Sequence, residues 1–327
     1  MTEIVDLPAP GPPDPLGGFR RRRWTGDMTF RSVLAAVTLA VSLVLAAMMA
    51  ESFITASPVY QKFGIVGFIA GSTWAPSFTV YGAWSFIFGT LLTSVIALLI
   101  AVPVAVLIAL LLTELAPARL RAPLGIAVDL LAAVPSVVYG LWGLLVLVPA
   151  MRPMEQGVAA TLGRVVPFLG PPTPGPSYFA AGVVLAIMIV PIVSAVTREV
   201  LATTPRLQRE AVLALGGTRW DVVRTVTLPI GRAGLLAAIV LGFGRAVGET
   251  IAVTLVIGNS NNIGASIFAP GFTLASVIAN EFNEATETLH PEALIALGTV
   301  LLVMSVIVNA FAIAIRNRFT GGARRGF

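Results

Sequence analysis

Two charged side chains stand inside an otherwise apolar run of the chain, LGFGRAVGETIAVTLVIGN. Arg245 and Glu249 are four residues apart, so a helix places both on one face. A charged side chain at the centre of a bilayer costs about 2.5–3.5 kcal/mol on insertion scales, and an unpaired arginine and glutamate would together cost several kcal/mol. Pairing offsets that cost, and ionisable groups within a membrane commonly mark a transport pathway.

The chemistry that this pair offers is the binding of an oxyanion. We predict that Arg245 attracts the anion and that Glu249 balances the arginine charge when no anion is bound. Glu249 would also accept a hydrogen bond from a protonated oxygen, which hydrogen phosphate donates and sulfate at neutral pH does not. We assign Thr250 to the same pathway or gate. The alternative is an ion pair that only holds helices together.

The glycines around this pair favour helix packing over nucleotide binding. A GxGxxG loop that began at Gly242 would need its third glycine at the position of Val247, and no strand precedes it. Gly244 and Gly248 instead form a small-xxx-small pair, which predicts a close approach by another helix.

A polar and basic segment, EAVLALGGTRWDVVRTVTLP, precedes the apolar run. Residues 210–215 predict a short helix that Gly216 and Gly217 end. A second basic segment follows over 218–227, and Pro229 marks the re-entry towards the membrane. A helix, a glycine turn and a second helix on the cytoplasmic face form a unit that a partner protein can bind and move. The alternative is an ordinary basic connecting loop.

This segment resembles the EAA loop of the permeases of binding-protein-dependent ABC importers. That motif reads Glu-Ala-Ala, three residues, Gly, nine residues, Ile, one residue, Leu-Pro; here Val212 and Val226 replace an alanine and the isoleucine, and the spacing is kept. The apolar run after it resembles the C-type permease subunits (PstC) of phosphate-specific Pst transporters. Residues 71–94, 130–149 and 257–259 resemble the same subfamily.

The resemblance implies a non-catalytic transport subunit of an inorganic phosphate importer. It would pair with a homologous PstA-type permease, a PstB-type ATPase dimer and a PstS-type phosphate-binding protein, and it places functional charges at Arg245 and Glu249. No GxxxxGK[ST] motif occurs in the sequence. We therefore expect no cofactor in this chain, with ATP and Mg²⁺ bound by the partner ATPase. The resemblance assigns the ATPase contact to the loop residues Glu210, Ala211, Gly216, Gly217, Leu228 and Pro229.

Composition restricts the class of protein to one that lives in a bilayer. The chain is 57% hydrophobic and 11% charged, with a mean hydropathy of +0.91. It has no cysteine, and His290 is its single histidine, which excludes disulfides, thiolate metal sites and multi-histidine metal sites. The net charge of +5 is dispersed among apolar segments, so the chain is not predicted to bind nucleic acid.

The elements that must position these residues are membrane helices. We predict an all-α integral membrane protein with six transmembrane helices in contact with lipid, of the MetI-like type I ABC importer architecture. Apolar runs predict spans near residues 32–56, 84–113, 126–148, 178–196, 233–257 and 291–315.

The remaining segments complete the predicted organisation. Residues 1–31 read as a disordered basic cytoplasmic tail, and 57–83 as a periplasmic loop whose tyrosines and tryptophans anchor it at the interface. The transmembrane domain covers 84–315, with the EAA coupling loop at 198–232, and 316–327 form a cytoplasmic tail. Further outer loops are expected at 149–177 and 258–290. We interpret the carboxylates of Glu114, Asp129 and Glu199, near predicted helix ends, as solvated or interfacial and not as a site.

Orientation follows from the basic residues. Most of the 21 lysines and arginines fall on one side if both termini are cytoplasmic, as the positive-inside rule requires of a multi-pass protein in a bacterial inner membrane. Three alternatives stay open: a permease for another oxyanion such as molybdate or sulfate, an ion-coupled secondary transporter with internal repeats and broken helices, and a membrane-embedded enzyme.

Overall fold

The computed structural model describes residues 25–170, 175–261, 264, 266–286 and 289–321. Within these residues the chain is helical apart from loops and two isolated β-bridges, which join Ala75 to Val80 and Gly258 to Gly271. The predicted all-α fold is therefore confirmed. The α-helices are α1 Thr25–Thr55, α2 Ser57–Phe63, α3 Ile65–Ala70, α4 Trp84–Leu110, α5 Ala118–Ala133, α6 Ser136–Trp142, α7 Val148–Leu162, α8 Tyr178–Ala202, α9 Arg206–Ala214, α10 Arg219–Val222, α11 Leu228–Val247, α12 Ile251–Val256, α13 Leu274–Glu281 and α14 His290–Gly321.

Short stretches with wider or tighter turns extend several of these helices. Three are π-helical turns, Leu111–Leu115 after α4, Gly143–Leu147 between α6 and α7, and Val223–Thr227 between α10 and α11. Three 3₁₀ turns lie at Pro76–Phe78, Pro167–Leu169 and Phe282–Glu284. A π turn inside a helix often marks a functional position, because it displaces the backbone from the regular ladder.

The chain divides into two compact units, Met1–Glu51 and Ser52–Phe327. The first unit contains most of α1. Its helix begins at Thr25, within the predicted tail of 1–31, and residues 1–24 lie outside the described part of the chain. The second unit contains every other element. Its last helix continues to Gly321, past the predicted end at 315, and residues 322–327 are not described.

Six segments among the described residues are long and apolar enough to cross a membrane, which confirms the predicted number. They are Met28–Thr55, Trp84–Leu115, Ser136–Leu162, Tyr178–Ala202, Arg219–Val247 and His290–Phe311. The second and fourth lie within a few residues of the prediction at their starts, because the apolar runs there are bounded by polar or Gly- and Pro-rich sequence.

The third span differs from the prediction over 126–148. Pro135 stands between α5 and α6 as the residue that precedes α6, so the helix over 118–133 is a separate element. The segment 149–162, predicted to be a loop because of its prolines, is helical. Pro149 lies in the first turn of α7, where a missing N–H costs little, and the π turn Gly143–Leu147 immediately precedes it.

The core of the second unit is built around α4 and α8. Ala97, Ala101, Ala105 and Ala109 recur every four residues along α4 and are fully buried, so they form one narrow face. Gly182 of α8 continues this close approach, since a Cβ there would lie 2.5 Å from a methyl carbon of Ile96. Small residues at the interfaces between membrane helices permit close packing of the backbones. Van der Waals contacts of this kind hold the helices together, because lipid tails are as apolar as the side chains and leave no hydrophobic driving force between helices.

A second cluster lies at the other end of α4 and includes parts of the predicted loop 57–83. That segment contains helices α2 and α3, and its aromatic residues Trp74 and Tyr81 are buried instead of anchored at an interface. The indole Nε1 of Trp74 donates to Oε2 of Glu281 at 2.8 Å, and His290 Nε2 lies 3.0 Å from the same oxygen. This polar cluster fixes α13 and the start of α14 against the loop.

Candidate functional site

The fifth span is interrupted at the residues that carry the predicted ion pair. Helix α11 ends at Val247 and α12 begins at Ile251, so Gly248, Glu249 and Thr250 lie in a break and not in one continuous helix over 233–257. Irregular backbone at membrane depth is tolerated where it lies within protein or lines a water-filled cavity. The break therefore supports an assignment of this position to a pathway.

The break keeps Arg245 and Glu249 together. Nη2 of Arg245 lies 3.3 Å from Oε2 of Glu249, and Oε1 of Glu249 lies 3.5 Å from the backbone nitrogen of Ala252 in the first turn of α12. The exposed fractions are unequal, 49% for the Arg245 side chain and 6% for that of Glu249. The guanidinium is therefore the group that faces outward, and the carboxylate holds it from behind.

A pocket of about 390 Å³ opens beside the guanidinium, between α8, α11 and α14. Its walls are mostly aliphatic, and its polar side chains besides Arg245 are Ser305 and Asn309, one helical turn apart on α14. A guanidinium has five N–H donors, so its one 3.3 Å contact with Glu249 leaves donors for a ligand. Ser305 and Asn309 were not identified from the sequence, because they lie about 60 residues away and carry no motif.

Thr250, predicted to share the pathway, is half-buried in the break. Its Oγ1 donates to the carbonyl of Gly248 at 3.3 Å, and its own carbonyl accepts bonds from the amide and the hydroxyl of Thr254. These bonds connect the end of α11 to the start of α12. In this conformation Thr250 shapes the break.

The glycines near the end of α11 differ in whether another helix packs against them, and the packed one is not the pair that we predicted. A Cβ on Gly242 would lie 2.7 Å from a methyl carbon of Val193. Gly242, together with Gly231 and Gly234 earlier in the helix, therefore lets α8 approach. A Cβ on Gly244 would meet nothing within 4 Å, and one on Gly248 only the carbonyl oxygen of Gly244. Among the described residues no other helix lies close to a Cβ at either glycine, and Gly244 instead lines the pocket beside Arg245; a close approach there stays a prediction.

The predicted coupling loop forms a helix, a turn and a second helix. Helix α9 covers Arg206–Ala214, and Gly216 has φ +84°, a left-handed conformation that favours glycine. At Gly217 a Cβ would lie 2.8 Å from the carbonyl oxygen of Val212, which explains the second glycine. Thr218 then opens α10 with a capping box to Asp221.

The second half of this loop is continuous with the membrane helix. Helix α10, the π turn Val223–Thr227 and α11 follow without interruption, so Pro229 does not mark a new start. Proline is tolerated there because it occupies the first turn of α11 after the π turn. Movement of the loop is thereby connected directly to α11.

The loop residues predicted to contact a partner fall into two groups. Glu210, Ala211, Gly216 and Pro229 are exposed, and Gly217 is half-buried. Leu228 instead packs against the ends of α4 and α8, in a cluster with Ala109, Leu110, Leu201 and Val223. Large apolar side chains also face solvent on the loop, with exposed fractions of 80% for Leu207, 90% for Leu215 and 64% for Trp220. The loop thus offers an apolar docking surface as well as its charges.

One carboxylate that we interpreted as solvated or interfacial is largely buried and paired. The Glu114 side chain is only 11% exposed and lies 3.2 Å from Nη2 of Arg209 on α9. Asp129, by contrast, forms an exposed ion pair with Arg198. The contacts of Glu114 join residues that are about 100 positions apart, which no local pattern in the sequence reveals.

Comparison with known families identifies the part of the chain that contains the last five candidate spans. The family described as "Binding-protein-dependent transport system inner membrane component" matches residues 67–321. Among curated proteins, a "Phosphate transport system permease protein PstC" of Mesorhizobium japonicum is 39% identical over 297 residues, which cover 89% of this chain and 90% of that protein. The protein of the same description from Haemophilus influenzae is 43% identical over 287 residues, covering 86% and 90%.

Solved structures agree at the level of the fold. The crystal structure of a bacterial alginate ABC transporter, in complex with an alginate pentasaccharide-bound periplasmic protein, has a chain that aligns with a TM-score of 0.60 at 17% identity. The alignment covers 91% of this chain and 98% of that one. A second structure of a bacterial alginate importer aligns with a TM-score of 0.58. At such identity the similarity establishes the ABC importer permease fold and nothing about substrate.

Proposed function

The chain belongs to the family of binding-protein-dependent transport system inner membrane components, and on that premise we propose that it is the permease subunit of an ATP-driven importer of inorganic phosphate. It is a multi-pass protein of the bacterial inner membrane. The observation that carries the proposal is the half-exposed guanidinium of Arg245, held by a buried carboxylate at a break in an apolar span. Relatives about 40% identical over most of the chain, described as phosphate transport permeases, support the same substrate.

Arg245 would supply the attraction for the phosphate anion. In a pocket with aliphatic walls its charge is screened less than in water, so a tetrahedral oxyanion is drawn to the unused N–H donors. Glu249 keeps the guanidinium in place and neutralises it when the pocket is empty. Because Glu249 is buried here, its hydrogen bond with a protonated phosphate oxygen requires the ion pair to open as the substrate arrives.

Energy for transport would come from a partner. The relatives are described as permease proteins, in keeping with a non-catalytic subunit. We assign ATP and Mg²⁺ to a PstB-type ATPase dimer that docks on the exposed loop residues Glu210, Ala211 and Gly216 and on the neighbouring apolar side chains. Closure of the ATPases would move α9 and α10 and, through the continuous helix 219–247, the break at Arg245.

The remaining partners would occupy the other exposed surfaces. A homologous PstA-type permease would pack where Gly244 and Gly248 leave α11 open to a close approach, so that two chains line one pathway. With both termini cytoplasmic, a PstS-type binding protein would dock on the opposite face of the membrane, against the outer loops. Lipid would cover the remaining apolar surface.

Two rival functions predict different behaviour. A broken helix such as that between α11 and α12 also occurs in ion-coupled secondary transporters, but such a protein would work without an ATPase. A permease for sulfate would share the fold and the arginine. Sulfate lacks the proton that Glu249 is proposed to recognise.

The deciding experiment measures ATP hydrolysis by the complex of this chain with its candidate partners, reconstituted in lipid vesicles, with the binding protein and either phosphate or sulfate. We expect stimulation by phosphate alone and loss of that stimulation in Arg245→Ala. Arg119→Ala, which removes an exposed arginine in the first turn of α5, is the control and should retain it. Equal stimulation by sulfate would overturn the substrate, and phosphate uptake without an ATPase would overturn the importer class.

A further inference from the structure

Two π turns meet where the coupling loop joins the membrane helices. One, Leu111–Leu115, ends the second span, and the other, Val223–Thr227, leads into α11. A side chain from each connects them, because Oγ1 of Thr227 donates to Oε1 of Glu114 at 3.1 Å. Both turns deviate from α-helical geometry at the residues that make this contact, as is common for π turns at functional positions.

Arg209 brings the first helix of the loop to the same oxygen. Its Nη2 lies 3.2 Å from Oε1 of Glu114 and donates at 2.8 Å to the carbonyl of Leu201 at the end of α8. From α10, Nη1 of Arg219 reaches the backbone carbonyl of Glu114 at 3.4 Å. Three elements, α9, α10 and the π turn before α11, therefore contact Glu114, and Arg209 also joins the end of α8 to this node of residues.

The centre of this node is shielded from solvent. Exposed fractions are 11% for the side chain of Glu114 and 22% for that of Arg209, and Thr227 is fully buried. The apolar cluster of Ala109, Leu110, Leu201 and Val223 lies beside it. Removal of one partner from a shielded ion pair leaves an uncompensated charge, so the pair resists separation when the loop moves.

We propose that Glu114 is a positioning residue that makes the coupling loop and the second span move as one body. The inference rests on the proposed function for its ATPase. Without Glu114, movement of the loop would still reach α11 through the continuous helix 219–247, but the second span would no longer follow. ATP hydrolysis would then proceed with less transport.

The test of coupling compares the phosphate imported per ATP hydrolysed in vesicles that contain the full complex. Glu114→Gln preserves the size of the side chain and an acceptor for Thr227 but removes the charge that holds Arg209. We expect the rate of ATP hydrolysis to stay close to that of the unmodified complex, because the proposed site of hydrolysis lies in the partner chain. The imported phosphate per ATP should fall at least about five-fold, the lower end of coupling between sites.

Three further variants separate this role from a merely structural one. Arg209→Gln should lower the same ratio, and the double variant should be no worse than either single variant if both act through one pair. Asp129→Asn, which breaks the exposed ion pair with Arg198 on α8, is the matched control and should leave the ratio unchanged. A normal ratio in Glu114→Gln, or an equal fall in Asp129→Asn, would refute the proposal.

A second measurement does not depend on the substrate. The chain has no native cysteine, so spin labels can be attached through cysteines placed at the exposed Gln208 of α9 and Leu107 of α4. Electron paramagnetic resonance should give one narrow distance distribution, and Glu114→Gln should broaden it. An unchanged distance distribution in the variant would refute the role of Glu114 in holding the loop. If the distribution broadens but phosphate does not stimulate ATP hydrolysis by the complex, the role of Glu114 stands and the proposed substrate is rejected.

Discussion

At the scale of single residues, the ion pair of the fifth span is asymmetric. Arg245 faces a pocket, whereas Glu249 is buried behind it. Their four-residue spacing in the sequence gives no indication of this difference in exposure. The break between α11 and α12 causes this difference, because Glu249 turns towards the first turn of α12. The two residues therefore have different proposed tasks, attraction for Arg245 and selection for Glu249.

Glu249→Gln tests the selection by separating charge from shape. The amide retains a hydrogen-bond acceptor but loses the charge that neutralises Arg245, so the preference for a protonated anion should weaken. We expect the discrimination of phosphate against sulfate to fall about ten-fold or more, since a site built around one hydrogen bond loses at least that much when the bond changes. Competition between labelled phosphate and sulfate for uptake measures it. Unaltered uptake and unaltered discrimination would show that Glu249 is only structural.

At the scale of elements, close contacts between backbones decide where helices lie. Gly89 of α4 is an instance, since a Cβ there would lie 2.0 Å from the carbonyl oxygen of Phe272, in the segment that leads into α13. A backbone atom cannot move aside as a flexible side chain does. The segment before α13 is thereby held directly against the second span.

We expect Gly89→Ala to destabilise the folded chain by about 1–3 kcal/mol, the range for overpacking a well-packed core. Gly157→Ala on α7 is the control, because a Cβ there meets nothing within 4 Å. Thermal unfolding in detergent, followed as loss of the monodisperse species, should show a lower midpoint for the first variant alone. Equal midpoints would mean that the loop shifts without cost.

At the scale of the whole molecule, the exposed apolar residues of the coupling loop indicate an incomplete assembly. Leu207, Leu215 and Trp220 present large apolar side chains on a segment that is otherwise polar and basic. Clustered exposed apolar surface of this kind is typical of an interface. The surface lies on the same helices that Glu114 holds.

Trp220→Ser should weaken binding of the ATPase dimer without altering the fold, because aromatic residues often dominate interface energy. We expect an affinity loss of about five-fold or more, the threshold of about 1 kcal/mol at which a residue counts in an interface. Val165→Ser, an 81% exposed valine after α7, is the control. Co-purification of the ATPase in detergent measures the loss; an equal effect of both variants would exclude the loop as the specific docking surface.

The sequence determined the class of fold, the number of spans and the position of the charged pair, because hydrophobicity and helical spacing are local properties that survive in any tertiary context. It also predicted the helix, glycine turn and second helix over 206–222, because glycine at position 216 permits the left-handed conformation found there. These features depend on neighbours within about twenty residues.

Only the tertiary structure decided the helix boundaries and the partners of distant residues. Pro135 lies between two helices as the N-cap of α6, whereas Pro149 lies in the first turn of α7, directly after a π turn. The hydrogen bond between Thr227 and Glu114 joins positions 113 residues apart, so no local sequence pattern near either residue predicts it. A membrane helix can satisfy its backbone by itself, but a buried carboxylate needs partners that only packing brings to it.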